Sequence, residues 1–266
     1  MQNPVGQSLM ESQAFGSLLK AWRARRRVSQ LDLALDAELS QRHVSFLESG
    51  RSKPTRSSIE KLADALTIPR GERDRLFAAA GFVAPTSMAP WTPEARAAID
   101  ESLAFIIERH DPFPAMIVDR LWNLQQANGS AARFLSAFGP PTSANVVAAL
   151  LHPDGPRRAL VNWREVAARL VGLIEVEVAR RLDDGEGRAL LLEIFDLPGV
   201  ADACAKAPDL GPGAPVISLH FRIDGRDLKL FSLVATVGMS VDPGLEDLKL
   251  ETLLPADPET RAWFLN

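Results

Sequence analysis

The chain has one cysteine, four histidines and no uninterrupted apolar stretch of about 18 residues, the length that could cross a membrane. One cysteine excludes an intramolecular disulfide framework, and we expect Cys204 to be a packing residue in an Ala-rich helix. The N-terminus also lacks the apolar run of a signal peptide. These absences favour a soluble protein of the reducing cytoplasm, with no membrane as a partner.

Signatures of catalysis are missing as well. The sequence contains no nucleophile elbow, no P-loop, no dinucleotide fingerprint and no recognisable pair of carboxylates for acid–base work. His110 and His152 each lack a second histidine at metal-ligand spacing. We therefore expect no enzymatic activity, no cofactor and no metal site.

Charge is distributed unevenly along the 266 residues. Residues 1–84 contain 13 Lys/Arg against 9 Asp/Glu, a net charge of +4, whereas residues 85–266 contain 17 against 25, a net charge of −8. A basic segment joined to an acidic one is typical of a DNA-binding module followed by a module with another function. The prolines of segment 85–90 predict a linker, which gives domains at 13–84 and 91–255.

Two short helices joined by a tight turn are predicted between Ser29 and Thr55. Ser29 and Ser40 stand where N-caps belong, and Gly50 has the left-handed position that ends a helix. The apolar faces are predicted to comprise Leu31, Ala34 and Leu35 in the first helix and Val44 and Leu47 in the second.

The outer face of the second helix is polar and suits the major groove of DNA. Opposite its apolar pair, at about 100° per residue, lie Gln41, Arg42, Ser45 and Ser49. Side chains at the N-terminal end of such a helix reach base edges, where Gln can pair with adenine and Arg with guanine. The loop that follows carries cations placed for phosphate contacts: Arg51, Lys53 and Arg56. The alternative is an ordinary helical hairpin with a solvated polar face.

Residues 15–82 resemble the helix-turn-helix domain of the Xre and phage-repressor (Cro/C1-like) regulators. The resemblance is carried by Leu19, Arg23, Ser29, Gln30, Leu31, Leu33, Ala34, Ser40, Val44, Leu47, Glu48, Gly50, Arg51, Pro54, Leu62, Ala63 and Leu66. It implies an all-α, lambda-repressor-like domain of five helices, at about 13–26, 30–36, 40–48, 56–67 and 71–80. Relatives often have a glycine in the turn that is formed here by residues 36–39.

The same resemblance implies roles for individual side chains. Gln30 would contact a phosphate, and Gln41 and Arg42 would read bases. Ser45 is a further base-reading candidate, and Phe46 would contact a thymine methyl group. Arg23 and Glu48 would form a structural ion pair.

From Trp91 onward the pattern predicts an α+β domain. A helix at 91–110 precedes a strand, a turn and a second strand within 114–128. Further elements are helices at about 129–138, 143–151, 156–182, 186–196 and 198–206, and strands at 216–223, 228–237 and 248–254. This order predicts one antiparallel sheet with helices on one face, as in a PAS-like domain whose helices enclose a pocket.

Residues 91–255 resemble the ligand-binding domain of the MmyB-like regulators. The phrases that carry this resemblance include Asp119-Arg120, Trp122-Asn123, Ala127-Asn128, Leu151-His152-Pro153 and Asn162-Trp163. It implies a PAS-type fold and a small hydrophobic ligand, with fatty-acid-like molecules as the best-known suggestion.

Four residues of this domain are candidate ligand contacts: Trp122, Trp163, Arg120 and His220. The two tryptophans either pack in the core or line a pocket. An arginine would meet a ligand carboxylate, and Arg120 is a candidate by position, as are Arg164 and Arg222. His220 alternates with apolar residues on a strand and faces either solvent or the pocket.

Together these features predict a transcriptional regulator that binds operator DNA as a homodimer and responds to a small hydrophobic ligand. One alternative is a regulator whose second domain only dimerises or binds a protein partner. A filled core around Trp122 and Trp163, without a cavity, would favour it. An antitoxin-like or phage-type repressor and an enzyme with a DNA-binding tail are further alternatives.

Overall fold

A computed structural model describes residues 4–83, 92–207, 217–236 and 248–265. The chain folds into two compact units, one formed mainly by residues 1–90 and the other by most of residues 91–266. The segment 85–90, which we predicted to be a linker, lies outside the described residues.

The first unit is all-helical, as predicted. Its helices are α1 (Pro4–Arg26), α2 (Gln30–Asp36), α3 (Gln41–Glu48), α4 (Arg56–Ala65) and α5 (Arg70–Ala79). Helix α1 begins at Pro4, nine residues before the predicted start, and the other helices agree with the prediction to within two residues. Their apolar faces enclose one core, whose largest members are Phe15, Leu19, Trp22, Ile59, Leu62 and Phe77.

Local hydrogen bonds explain where α2 and α3 begin and end. The Ser29 hydroxyl accepts from the backbone N–H of Asp32, and the Asp32 carboxylate accepts in return from the backbone N–H of Ser29. The Ser40 hydroxyl accepts from the backbone N–H of His43. Gly50 follows α3 with a φ of 70°, the left-handed conformation that ends helices. The predicted caps are therefore confirmed.

The predicted apolar face of α2 is correct for Ala34 but wrong for Leu31 and Leu35. Leu33, Ala34 and Ala37 are buried, whereas Leu31 and Leu35 are 50% and 69% exposed. Helix α2 has only seven residues, fewer than two full turns, so more than one apolar stripe fits its sequence. Packing against α3 and α4 selects the stripe that is buried.

The turn between α2 and α3 compensates for its missing glycine. Glu38 adopts a φ of 52°, the left-handed conformation for which glycine is the usual residue. Its backbone N–H donates to the Leu35 carbonyl, and the N–H of Leu39 donates to the carbonyl of Ala34. The Lys61 ammonium lies 2.7 Å from the Glu38 carboxylate. The turn therefore has the closed hydrogen-bonding pattern of a glycine-ended helix.

The second unit is α+β, as predicted. Its helices are α6 (Pro93–Glu108), α7 (Gly129–Ser136), α8 (Val146–Leu151), α9 (Trp163–Ala179), α10 (Gly185–Asp196), α11 (Val200–Ala205) and α12 (Pro258–Leu265), with a short 3₁₀ helix at Pro156–Arg158. Its strands are β1 (Ala115–Val118), β2 (Leu124–Ala127), β3 (Ile217–Ile223), β4 (Arg226–Thr236) and β5 (Lys249–Pro255). All strand pairs are antiparallel, in the order β2-β1-β5-β4-β3, so the early and late strands form a single sheet.

Both faces of strand β1, the second strand of the sheet, are covered, which corrects the prediction that helices cover one face. Met116 and Val118 point into the main core with the central helices. Ala115 and Ile117 point the other way and pack with α6. Because side chains alternate across a strand, the continuously buried run of β1 requires a cover on each side.

Helix α12 was not predicted, and it lies beyond residue 255, at which we placed the end of the domain. Asp257 caps it by accepting from the backbone N–H of Thr260. The buried Thr260 hydroxyl in turn accepts from the backbone N–H of Lys229 on β4. Trp263 and Phe264 pack against the main core.

Candidate functional sites

Helix α3 presents a polar face opposite its buried face. Val44 and Leu47 are fully buried, whereas Gln41 and Arg42 are exposed in the first turn. Ser49, just beyond the helix, is exposed too. Because Ser40 caps the helix, its first turn is fixed, and the two exposed side chains leave the surface from a defined position.

Ser45 and Phe46 are half-buried on the same helix. The Arg42 guanidinium lies 5.1 Å from the centroid of the Phe46 ring, within the range of a cation–π interaction. The Ser49 hydroxyl donates to the Phe46 carbonyl. Phe46 therefore supports Arg42 and is itself partly exposed.

Three polar side chains join α1, α2 and α3. Arg23 donates from Nε to Glu48 Oε1 at 2.6 Å and from Nη2 to Oε2 at 3.0 Å, which confirms the expected contact between these two residues. Hydrogen bonding to Glu48 raises the pKa of the Arg23 guanidinium. Gln30 Nε2 donates to Glu48 Oε2 at 2.7 Å. One amide hydrogen of Gln30 is therefore occupied, and the other remains for an outside acceptor.

The three cations that follow α3 are in different surroundings. Arg51 and Lys53 are exposed in the loop. Arg56, on α4, donates to the carbonyl of Val83 at 2.8 Å. Its guanidinium also lies 5.2 Å from the Phe82 ring centroid. Arg56 is thus bound within its own unit, in contrast to the other two.

A large apolar cavity lies in the second unit between α7, α8 and the sheet. Its volume is about 970 Å³, near the upper end of the range for small-molecule sites. Aromatic side chains form much of one wall, and the centroids of Phe134 and Phe221 are 5.3 Å apart. The polar lining residue Ser136 ends α7, and Thr142 and Ser143 lie in the segment that joins α7 to α8, which we call the bordering segment.

One acidic side chain lines this cavity. Glu251 on β5 is 6% exposed, and its Oε1 accepts from the Ser232 hydroxyl at 2.9 Å. Its Oε2 is buried without a hydrogen-bond partner within the part of the chain that the structure describes. Burial raises the pKa of Glu251 to about 7.

None of the four predicted ligand residues lines this cavity, although the structure describes all of them. Arg120 is buried and donates to both carboxylate oxygens of Asp184, at 2.6 and 2.9 Å. Trp122 is 2% exposed in the main core, in the turn between β1 and β2. Its indole N–H has no hydrogen-bond partner among the described residues. A separate void of about 20 Å³ lies between Trp122, Ser232 and Glu251.

The other two candidates lie elsewhere in the unit. Trp163 begins α9, and the Arg157 guanidinium lies over its indole, 3.5 Å from the ring centroid. It borders a second groove of about 460 Å³, together with Gly199 and Asp202. His220 alternates with the cavity-lining Leu219 and Phe221 on β3, so its side chain is on the opposite face, where Nε2 lies 3.4 Å from Asp227 Oδ1.

The residues around Trp122 that carry the resemblance to the MmyB-like regulators hold a turn together. Asp119 accepts from the backbone N–H groups of Leu121 and Asn123 and from the Asn123 side chain. Asn145 donates to the Leu121 carbonyl at 2.6 Å. This network fixes Trp122 at a φ of 69°. These side chains position the edge of the sheet and the start of α8.

Sequence reasoning missed Glu251 and Ser232. The available signal was a lone carboxylate within the apolar strand Lys249–Pro255, because a charged side chain is rarely fully buried without a partner. Within the described ranges no cluster of three His, Cys, Asp or Glu side chains could hold a metal ion. None of the described helices is long and apolar enough to cross a membrane.

Comparison with known families matches both units. Residues 99–265 match the family described as "MmyB-like transcription regulator ligand binding domain", and residues 14–76 match a family described as "Helix-turn-helix domain". Uncharacterized HTH-type transcriptional regulators of Mycobacterium bovis and Mycobacterium tuberculosis are 30% identical over 102 residues. That alignment covers 38% of this chain and 40% of each relative. The protein belongs to the family of MmyB-like regulators, with a helix-turn-helix domain preceding the ligand-binding domain.

Proposed function

We propose that this protein is a cytoplasmic transcriptional regulator that binds operator DNA through α3 and is controlled by a small hydrophobic ligand in the cavity of its second domain. The functional division is a DNA-binding domain at 13–84, a linker at 85–90 and a ligand-binding domain that starts at 91 and includes α12. The observation that carries the proposal is the presence, in one chain, of an exposed polar recognition-type helix and an apolar cavity of about 970 Å³.

The first turn of α3 supports the DNA-binding part. Gln41 and Arg42 are exposed, side by side and without competing ion pairs in their helix, and they have the two side-chain types best suited to adenine and guanine edges. Arg51 and Lys53 extend the cationic surface to the following loop, where they would contact phosphates. A homodimer would place two copies of α3 on half-sites about one helical turn apart.

The cavity supports the sensor part over a domain that only dimerises or binds a protein. Trp122 is buried in the core beside a void of only about 20 Å³, as that alternative requires, but the large cavity lies next to this core. Glu251 is the only ionisable side chain among the described residues that line the cavity. A lone acid without a second acid or base offers no pair for catalysis, so ligand binding accounts for the cavity better than an enzymatic reaction.

The DNA-binding part is tested by selecting operator sequences from a random pool with the purified protein, followed by fluorescence anisotropy titrations. Replacing Gln41 and Arg42 together with Ala is expected to reduce specific affinity to the non-specific level, a loss on the order of 10³-fold or more. Arg75→Ala is the charge-matched control, because Arg75 is an exposed cation on α5, which packs against α1 and α4. Specific binding that survives the double substitution would show that α3 is not the reading helix.

A further inference from the structure

The cavity is lined mostly by apolar side chains and by one ionisable side chain among the described residues. Its walls are mainly aliphatic and aromatic, including Met116, Phe134, Leu150, Leu219 and Leu253. Glu251 lies among them, with the strand neighbours Met116 on β1 and Val234 on β4 directly opposite it. A ligand in this cavity therefore meets mostly apolar surface, one carboxyl group and the hydroxyl groups of Ser136, Thr142 and Ser143.

The carboxyl group of Glu251 is only half satisfied by the protein. Ser232 donates to Oε1, and Oε2 has no partner from the residues that the structure describes. A buried polar atom that lacks a hydrogen bond destabilises the folded protein relative to one that has a partner. A ligand group that bonds to Oε2 would recover this free energy, so Oε2 is an anchor point for a ligand.

A negatively charged ligand does not fit this anchor. No Lys, Arg or His belongs to the described lining of the cavity. The surrounding cations have partners within the protein: Arg158 donates to the carbonyl of the cavity-lining Phe138, Arg120 binds Asp184, and Lys249 donates to the Arg120 carbonyl. A ligand carboxylate beside Glu251 would place two acids in one apolar site, where one of them must be neutralised.

A positively charged ligand fits less well than a neutral one. An ammonium group would require both itself and Glu251 to be ionised in an apolar cavity, and the loss of hydration of two ions offsets much of their attraction. A hydroxyl or amide group carries both a donor and an acceptor and can bond to a carboxyl group in either protonation state.

We propose that the natural ligand presents an uncharged hydroxyl or amide group to Glu251 Oε2 and lays an apolar body along Phe134, Leu150 and Leu219. This inference rests on the proposed function of the cavity as a ligand site. It differs from the expectation of a fatty-acid-like ligand bound through an arginine.

The test compares four probes with the same ten-carbon chain: decanol, decanamide, decanoate and decylamine. Their affinities for the full-length protein are measured at neutral pH by isothermal titration calorimetry. Decanol and decanamide are expected to bind at least about tenfold more tightly than decanoate or decylamine. Equal or tighter binding of decanoate or decylamine would overturn the inference.

Two variants locate the head group of the probe. Glu251→Gln keeps the size of the side chain but removes the acid, so the preference for decanol over decanoate is expected to fall below about threefold. Thr142→Val replaces a hydroxyl of the bordering segment with a methyl group of similar size. It is expected to leave the preference for decanol over decanoate unchanged. If Thr142→Val lowers the preference and Glu251→Gln does not, the head group lies at the bordering segment, and the inference is overturned. An unchanged preference in both variants would assign the partner of Oε2 to a water molecule in the 20 Å³ void and would also overturn the inference.

A third variant separates this inference from the proposed function. Ala149→Trp places a large side chain in the cavity from α8 and should abolish binding of all four probes. If this variant blocks binding but the unaltered protein shows no preference for uncharged probes, the inference is contradicted. The proposal that the cavity is a ligand site then still holds. Failure of every probe to bind to the unaltered protein contradicts both.

Discussion

The guanidinium of Arg23 on α1 binds the carboxylate of Glu48 at the end of α3 through two hydrogen bonds, at 2.6 and 3.0 Å. The Glu48 side chain is 4% exposed, so this pair is largely removed from water. Arg23 also donates to the Val28 carbonyl, just before α2. One arginine therefore connects all three helices that orient the exposed face of α3.

Removing Arg23 is expected to loosen α3. Arg23→Ala would leave the buried Glu48 carboxylate with Gln30 as its remaining partner, and we expect a loss of about 2 kcal/mol in local stability. Hydrogen exchange of the α1 and α3 backbone amides in the intact protein measures this change. Arg23→Lys keeps the charge but not the paired geometry, so it should show a smaller loss. Exchange rates unchanged in both variants would mean that the pair does not hold the helix.

Gly16 sets the distance between α1 and α3. A Cβ atom at this position would lie 2.5 Å from the Leu47 carbonyl oxygen and 2.6 Å from that of Glu48, which are backbone atoms that cannot rotate away. Gly16→Ala is therefore expected to destabilise the first unit by about 1–3 kcal/mol, despite the better helix propensity of alanine. Thermal unfolding followed by calorimetry measures the effect.

Gly172 on α9 is the matched control for Gly16. It is also a glycine within a helix, but a Cβ atom there would meet nothing within 4 Å among the described residues. Gly172→Ala should stabilise the protein by about 0.5–1 kcal/mol. A stabilising effect at both positions would contradict the close approach of α1 to α3.

The cations after α3 are expected to differ in their contribution to DNA binding. Arg51→Ala and Lys53→Ala should each reduce the slope of log affinity against log salt concentration by about 1, because each removes one phosphate contact. Arg56→Ala should change this slope less and should lower stability instead, since Arg56 is bound to Val83 and Phe82. Anisotropy titrations over a range of salt concentrations test this difference, and three equal slopes would contradict it.

Glu251 makes the second unit less stable as pH rises. Its pKa in the folded protein is about 7, against an ordinary value near 4.5 in an unfolded chain. Between these values the folded protein holds a proton that the unfolded chain has released, so stability is lost as pH rises through this window. The loss above pH 7 is on the order of 3 kcal/mol. Lys249, two residues earlier on the same face of β5, lies 3.9 Å from the Glu177 carboxylate of α9, and the neighbours Ser232, Met116 and Val234 are uncharged.

Glu251→Gln separates this effect from other titrations. Glutamine resembles the protonated acid, so the variant should unfold at a higher temperature than the unaltered protein at about pH 8 and at a similar temperature at about pH 5. Calorimetry at both pH values provides the comparison. Parallel pH profiles of the two proteins would show that Glu251 is not the group responsible.

The helix-turn-helix unit could be predicted in detail because its signals are local. Ser29, Ser40 and Gly50 act through hydrogen bonds and backbone angles within a few residues of themselves, so their positions in the sequence suffice. The burial of Leu33 instead of Leu31 could not be predicted in this way. It depends on how α2 packs against other helices, which seven residues do not specify.

The cavity shows the limit of sequence reasoning more clearly. The sequence suggests the tryptophans as ligand contacts by residue type and Arg120 by its position, but Trp122 lies in the core and Arg120 binds Asp184. The acidic side chain in the cavity lining, Glu251, belongs to the last strand. It comes more than a hundred residues after Met116, which pairs with it from β1. Only the pairing of β1 with β5 brings these two together, and nothing in either local sequence encodes that pairing.

Native mass spectrometry of the full-length protein, purified without detergent, tests whether the second domain holds a small molecule. We expect an excess mass of a few hundred daltons, near one molecule per chain, that is lost on denaturation and is absent from the Ala149→Trp variant. Identical masses before and after denaturation, both as purified and after incubation with the ten-carbon probes, would contradict this expectation.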